Sequence, residues 1–114
     1  MDPMVTFIIS KALDGLSMRY QAIAQNIANA TSPNYRPVRV DFENDLRRAA
    51  EAGPDAVRHL ALTMRQDTGH VPGSEIRLDL EIAEAAQTSM RYAALIDMLG
   101  RRMAINRAIT GGGQ

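Results

Sequence analysis

Two histidines, His59 and His70, and three acids, Asp79, Glu81 and Glu84, are the residues whose types invite a search for chemistry in this chain. A metal centre needs ligands at short turn or helical spacing, yet the histidines stand eleven apart and neither belongs to a short His/acid motif. His70, beside Gly69 and close to Pro72, reads as a turn residue. The three acids open an apolar-periodic stretch, where carboxylates complement the positive end of a helix dipole more simply than they form a catalytic pair. Gly111 to Gly113 makes no phosphate cradle, because no strand precedes it and no Lys-Ser/Thr follows. Met18, Met64, Met90, Met98 and Met103 read as core or interface filler rather than a cofactor box. The Asn29-Ala30-Thr31 sequon falls at a helix end and is discounted as a glycosylation site. With no cysteine, disulfides and thiolate metal sites are excluded. These residues predict no enzyme, no cofactor and no metal.

The composition narrows the remaining classes. A chain of 114 residues fits one domain, here residues 1–114. Thirteen acids balance thirteen Lys and Arg, which argues against a nucleic-acid partner, since phosphates demand a basic surplus. No stretch approaches the roughly 18 apolar residues of a membrane span, so no direct membrane insertion is expected. "MVTFIISKALDGL" lacks a basic n-region and a small-residue cleavage site, so any export is expected to use a route other than a cleaved signal peptide. After Asp97 no acid remains, while Arg101, Arg102 and Arg107 follow, as suits the negative end of a helix. The Arg47-Arg48 and Arg101-Arg102 pairs suit either solvated faces or acids on a neighbouring subunit.

The elements that carry these residues are legible from periodicity. Ile9, Leu13, Leu16, Tyr20, Ile23, Ile27 and Ala30 are spaced 4, 3, 4, 3, 4, 3, an unbroken heptad seam, and predict a helix over residues 3–31 with Asp2-Pro3 at its start. Residues 32–74 read as an irregular middle. Val38, Val40 and Phe42 alternate, "DFENDLRRAAEA" allows a short helix capped by Asp41 and ended by Gly53-Pro54, and Leu60, Leu62 and Met64 alternate again. A second long helix is predicted over 75–110, with Leu78, Ile82, Ala85, Ser89, Tyr92, Ile96, Leu99 and Met103 in 4-3 spacing, followed by a flexible tail at 111–114. Leu95, Met98, Ile105 and Ile109 add a second row beside the first, and Gly100 hints at close backbone contact or a bend. The fold class is mainly α: long terminal helices pairing as a coiled-coil or bundle, with some β in the short middle. Two such stripes suit a subunit of a larger assembly, and the competing reading is a small cytoplasmic helical interaction module.

Residues 26 to 35, "NIANATSPNY", end the first helix. Asn26 and Asn29, one helical step apart, can bond a neighbouring backbone or cap freed carbonyls. Ser32 and Pro33 lead the chain out of the helix, Asn34 tolerates a left-handed turn, and Tyr35 is placed to fold back or to enter a partner.

This segment resembles the "NNIANxxTPGY"-like signature of bacterial flagellar axial proteins. "LSMRYQAIAQNIANATSPNYRPVRVDFENDL", "LTMRQDTGHV" and "SMRYAALIDMLGRRMAINRAI" together look like the FlgB family of proximal-rod proteins, over about residues 12 to 109. Asn34 stands in place of the family's turn glycine, Thr88 in place of an asparagine and Arg77 in place of an acid. The resemblance implies a structural subunit of the flagellar basal-body rod that polymerises through its terminal helices into the periplasmic drive shaft. It implies copies of itself, other rod subunits, a FliE-type adaptor at the rod base, a rod-cap protein and the flagellar type III export apparatus as partners. The candidate assembly interface comprises Ile9, Leu13, Leu16, Tyr20, Ile23, Asn26, Ile27, Asn29, Ile82, Tyr92, Ile96, Leu99 and Met103, with Ser32, Pro33, Asn34 and Tyr35 as turn motif. A charge at Leu16 or Ile23 is then expected to abolish assembly.

Overall fold

A computed structural model describes residues 2–111. Helix α1 spans Pro3–Ala28, strand β1 Val38–Arg39, helix α2 Glu43–Ala52, helix α3 Pro54–Arg58, strand β2 Arg65–Gln66 and helix α4 Leu78–Gly111. The Asp2 carboxylate accepts from the Met4 amide at 3.0 Å and Pro3 occupies the first turn, so α1 starts where a free donor and a fixed φ favour it. It stops at Ala28, short of the expected residue 31, because the Asn29 side chain donates to the Gln25 carbonyl at 2.9 Å and closes the last turn.

The middle holds one helix more than expected. Gly53 takes φ 127, a value only glycine adopts without strain, and Pro54 beyond it opens α3 as well as ending α2. Asp41 does not cap α2; Phe42 takes that position, and its amide donates to the Glu43 carboxylate at 3.3 Å. The alternation at Leu60, Leu62 and Met64 is an unpaired run. The ladder itself is Val38 against Gln66 and Arg39 against Arg65, antiparallel.

The buried core lies between α1 and the middle: Leu16, Ala22, Val40, Phe42, Leu46, Ala49 and Val57, with Leu95 reaching it from α4. Gly15 is fixed by this packing, since a Cβ there would meet the Phe42 ring at 2.6 Å. The Arg19 guanidinium, 4.9 Å from the centre of that ring, covers it from solvent. Gly15→Ala is therefore expected to destabilise the fold by about 1–3 kcal/mol through overpacking, despite a helix-propensity gain of about 1 kcal/mol. Urea unfolding measures it, and a Gly15→Ala/Phe42→Leu double variant should recover part of the loss.

Helix α4 runs back along α1: Glu81 meets Asn26, and Leu95 lies in the groove shared with Ala12 and Leu16. The molecule extends 64 × 27 × 14 Å, little more than one helix thick in its shortest dimension. Gly100 makes no close contact within the chain, as a Cβ there would meet nothing within 4 Å, and α4 continues through it. Residues 112–114 of the expected tail lie outside the described residues, and Gly111 closes α4.

Candidate functional site

The segment that ends α1 organises a buried polar cluster. Asn26 is fully enclosed, and its amide makes four hydrogen bonds. Its Nδ2 donates to the Val38 carbonyl at 3.0 Å and to Glu81 Oε2 at 3.3 Å. Its Oδ1 accepts from the Val38 amide at 2.8 Å and from the Tyr35 hydroxyl at 2.9 Å. One side chain thus satisfies the start of β1, fastens the turn and reaches α4.

Glu81, 3% exposed, completes the cluster by pairing with Arg39 Nη1 at 2.7 Å. Arg39 in turn donates to Asp67 Oδ2 at 3.4 Å, which ties in the loop after β2. Burial works against the Arg39 charge, but the hydrogen bond and charge of Glu81 outweigh it and hold the pKa above its ordinary value. Burial, aided by Glu81, raises the pKa of the Tyr35 phenol. Glu81 reads in the sequence as a first-turn acid and does stand in the first turn of α4; its pairing makes it an interior strut as well. The signal available beforehand was its place on the α4 face shared with Ala85 and Thr88, which a search for apolar residues passes over.

The turn itself follows from its residues. The Asn29 carbonyl accepts from the Ser32 amide at 3.0 Å, and the Ser32 carbonyl accepts from the Tyr35 amide at 3.3 Å. Between them Asn34 has φ 62, the left-handed region, and Tyr35 folds back onto the end of α1. Asn34→Gly is expected to change stability by less than about 1 kcal/mol, relief of φ offsetting added unfolded-state freedom. Asn34→Val should lose about 1–2 kcal/mol, since a β-branched residue resists this φ. Denaturant midpoints of the two variants check the pair.

A second clamp was not singled out in the sequence. Arg19 forms a fork with Glu43, both nitrogen–oxygen distances 2.7 Å, and also donates to the Val40 carbonyl. The Arg19 hydrogen bond holds the Glu43 carboxyl below the ordinary carboxylate range. Lys11 donates to the Arg58 and Leu60 carbonyls at 3.2 and 3.0 Å, so it caps α3 from α1. Arg48 and Arg101 pair with Asp45 and Asp97 of their own helices. His59 bonds back to the Asp55 carbonyl and His70 stands 3.4 Å from the Ser74 hydroxyl, each a local contact.

The heptad of α1 divides in two. Ile9, Leu16 and Ile23, seven apart, are buried within the chain, Ile23 to 1% exposure. Leu13 is half-buried, and Tyr20 and Ile27 face outward at 49% and 37%. The substitutions Leu16→Asp and Ile23→Asp therefore strike the chain's own core before any partner is involved.

In α4 the inward row is Glu81, Ala85, Thr88, Leu95 and Leu99, rotated from the expected one because the Glu81 ion pair fixes the helix. Ile82, Tyr92, Ile96 and Met103 are all exposed. Tyr20 and Tyr92 line a groove between α1 and α4 of about 470 Å³ with Leu16, Ser17, Thr88 and Ser89. Of the candidate interface, then, Tyr20, Ile27, Ile82, Tyr92, Ile96 and Met103 are exposed on the surface of the chain. Ile9, Leu16, Ile23 and Asn26 hold the chain together, and Asn29 closes its helix. Such a surface, apolar along most of a helix beyond what isolated surface residues need, suits protein–protein contact.

No family model matches the chain. Comparison with curated proteins nonetheless finds consistent relatives. The flagellar basal body rod protein FlgB of Escherichia coli (strain K12) is 36% identical over 111 residues, covering 78% of this chain and 80% of that one. The protein of the same name from Bacillus subtilis (strain 168) is 29% identical over 118 residues, covering 91% and 92%. That of Cereibacter sphaeroides (strain ATCC 17023) is 30% identical over 98 residues, covering 75% and 77%. Similarity of this extent, spread over most of each protein and found in three distinct bacteria, places the chain in the flagellar basal body rod protein FlgB family.

Proposed function

We propose that this chain is a structural subunit of the flagellar rod, and that it assembles through the outward rows of α1 and α4. The observation that carries the reading is the exposure of Ile82, Ile96, Met103, Ile105 and Ile109 along one long helix. Leaving such residues in water forgoes about 25 cal/mol for each Å² of apolar surface that a neighbour would cover. Copies of itself and other rod subunits supply that cover. The adaptor at the rod base, the rod-cap protein and the flagellar type III export apparatus are the further partners of this reading. Its place is the periplasmic rod of the basal body, reached without signal-peptide cleavage. The role is mechanical rather than catalytic: the ionisable residues of the cluster tie α1, β1 and α4 together.

Deletion of the coding region in the source bacterium tests this. The expected result is loss of swimming and basal bodies that end at the inner-membrane ring, both restored by the intact chain. Normal motility in the deletion strain would overturn the reading.

A further inference from the structure

Strand β2 is the open edge of a sheet that has only two strands among the described residues. None of residues 61–64, which lead into it, takes part in a hydrogen bond among the described residues, and their burial alternates as in a strand. The Asp67 amide donates to the Pro37 carbonyl at 2.7 Å and Arg65 stands opposite Arg39, so the main chain of the odd-numbered residues faces β1. Main-chain groups alternate in direction along an antiparallel strand, so those of Leu62, Met64 and Gln66 face away from it. Lys11 takes the Leu60 carbonyl and ends the open edge on that side. Residues 62 to 66, about 17 Å long at about 3.4 Å per residue, thus present donors and acceptors in a row with no strand beside them.

The side chains limit what can lie there. Thr63 and Arg65 are exposed, while Leu62 and Met64 lean on the core cluster. Arg65 stands directly opposite Arg39, a like-charge pairing that weakens a ladder. Glu81 and Asp67 meet the Arg39 charge, but Arg65 has no ion pair among the described residues. A second copy of the strand fits poorly, because "LTMRQ" carries no carboxylate to set against Arg65. We propose that this edge takes an extended segment of a different protein as a third strand, with an acid opposite Arg65 and apolar residues beside Leu62 and Met64. Main-chain bonds hold such a segment and alternate side chains select it. A ladder of two residue pairs is too short to be stable by itself, and a third strand completes it. The contact rests on the rod reading, since the partner is sought in the basal body.

A photoreactive side chain at the exposed position 63 tests it. With Thr63→p-benzoylphenylalanine replacing the native copy in its bacterium, irradiated basal bodies are expected to yield an adduct to another protein, attached next to an Asp or Glu. An adduct to a second copy, or to a segment without an acid, would overturn the proposal while leaving the rod reading intact. So would basal bodies that contain the chain and give no adduct. Absence of the native chain from basal bodies would overturn both. Gln66→Pro deletes an outward N–H that has no partner among the described residues, whereas Gln66→Ala keeps it. The proline variant should lower incorporation about tenfold and the alanine variant leave it unchanged, with equal melting. Equal incorporation of the two overturns the main-chain contact. Should proline lower the melting midpoint, Arg65→Glu set against Arg65→Lys decides. The glutamate is expected to cut incorporation about tenfold and the lysine to keep most of it; native incorporation of the glutamate variant overturns the proposal.

Discussion

Ile23→Asp is expected to unfold the purified chain, whereas Ile96→Asp should leave its melting midpoint unchanged and stop its assembly. Ile23 is 1% exposed among α1, the middle and α4, and Ile96 is 47% exposed on the outer face of α4. The aspartate at 23 forfeits about 1.5–3 kcal/mol of apolar burial and adds the several kcal/mol of an uncompensated buried charge. Together these rival the whole stability of a small domain, about 5–15 kcal/mol. At 96 the charge stays in water, where a surface change costs within about 0.5 kcal/mol. Circular dichroism melts separate the two variants, and the amount of chain in isolated basal bodies reads assembly. Full incorporation of Ile96→Asp would show that the outward row of α4 is not an interface.

The second large effect belongs to Asn26. Asn26→Leu keeps the volume and removes four hydrogen bonds, leaving the Val38 amide and carbonyl without this partner behind α1. Each stranded group costs about 1–3 kcal/mol, so the expected loss is about 3–5 kcal/mol. Tyr35→Phe removes one of those bonds and should lose about 1 kcal/mol. Urea midpoints measure both. A loss below about 1 kcal/mol for Asn26→Leu would show that the amide is not the fastening point of the turn.

Much of this fold is written in its sequence, for reasons that differ by element. Helix α1 is legible because its period is long, its first turn has a capping acid and a proline, and its end carries Asn29 and Pro33. The turn at Asn34 is legible because few residues accept φ 62. The rotation of α4 is not. Its two apolar rows lie side by side, and hydrophobic spacing cannot choose between them when the deciding contact is the ion pair of Glu81 with Arg39. Nor is α3, since Pro54 both ends one helix and begins the next. The apolar stripe of α1 is legible, yet which half of it turns inward depends on Phe42, Val57 and their neighbours, which arrive from far along the chain.

Leu95 is the α4 residue that reaches the core cluster, so the longest helix of this molecule is docked on its body rather than embedded in it. Setting it loose would uncover the α1 face beneath it and would also part the Glu81 carboxylate from the partly exposed Arg39 guanidinium and from the Asn26 amide. The helix is therefore held by apolar packing and by polar contacts together. A new surface that draws the helix away must replace both.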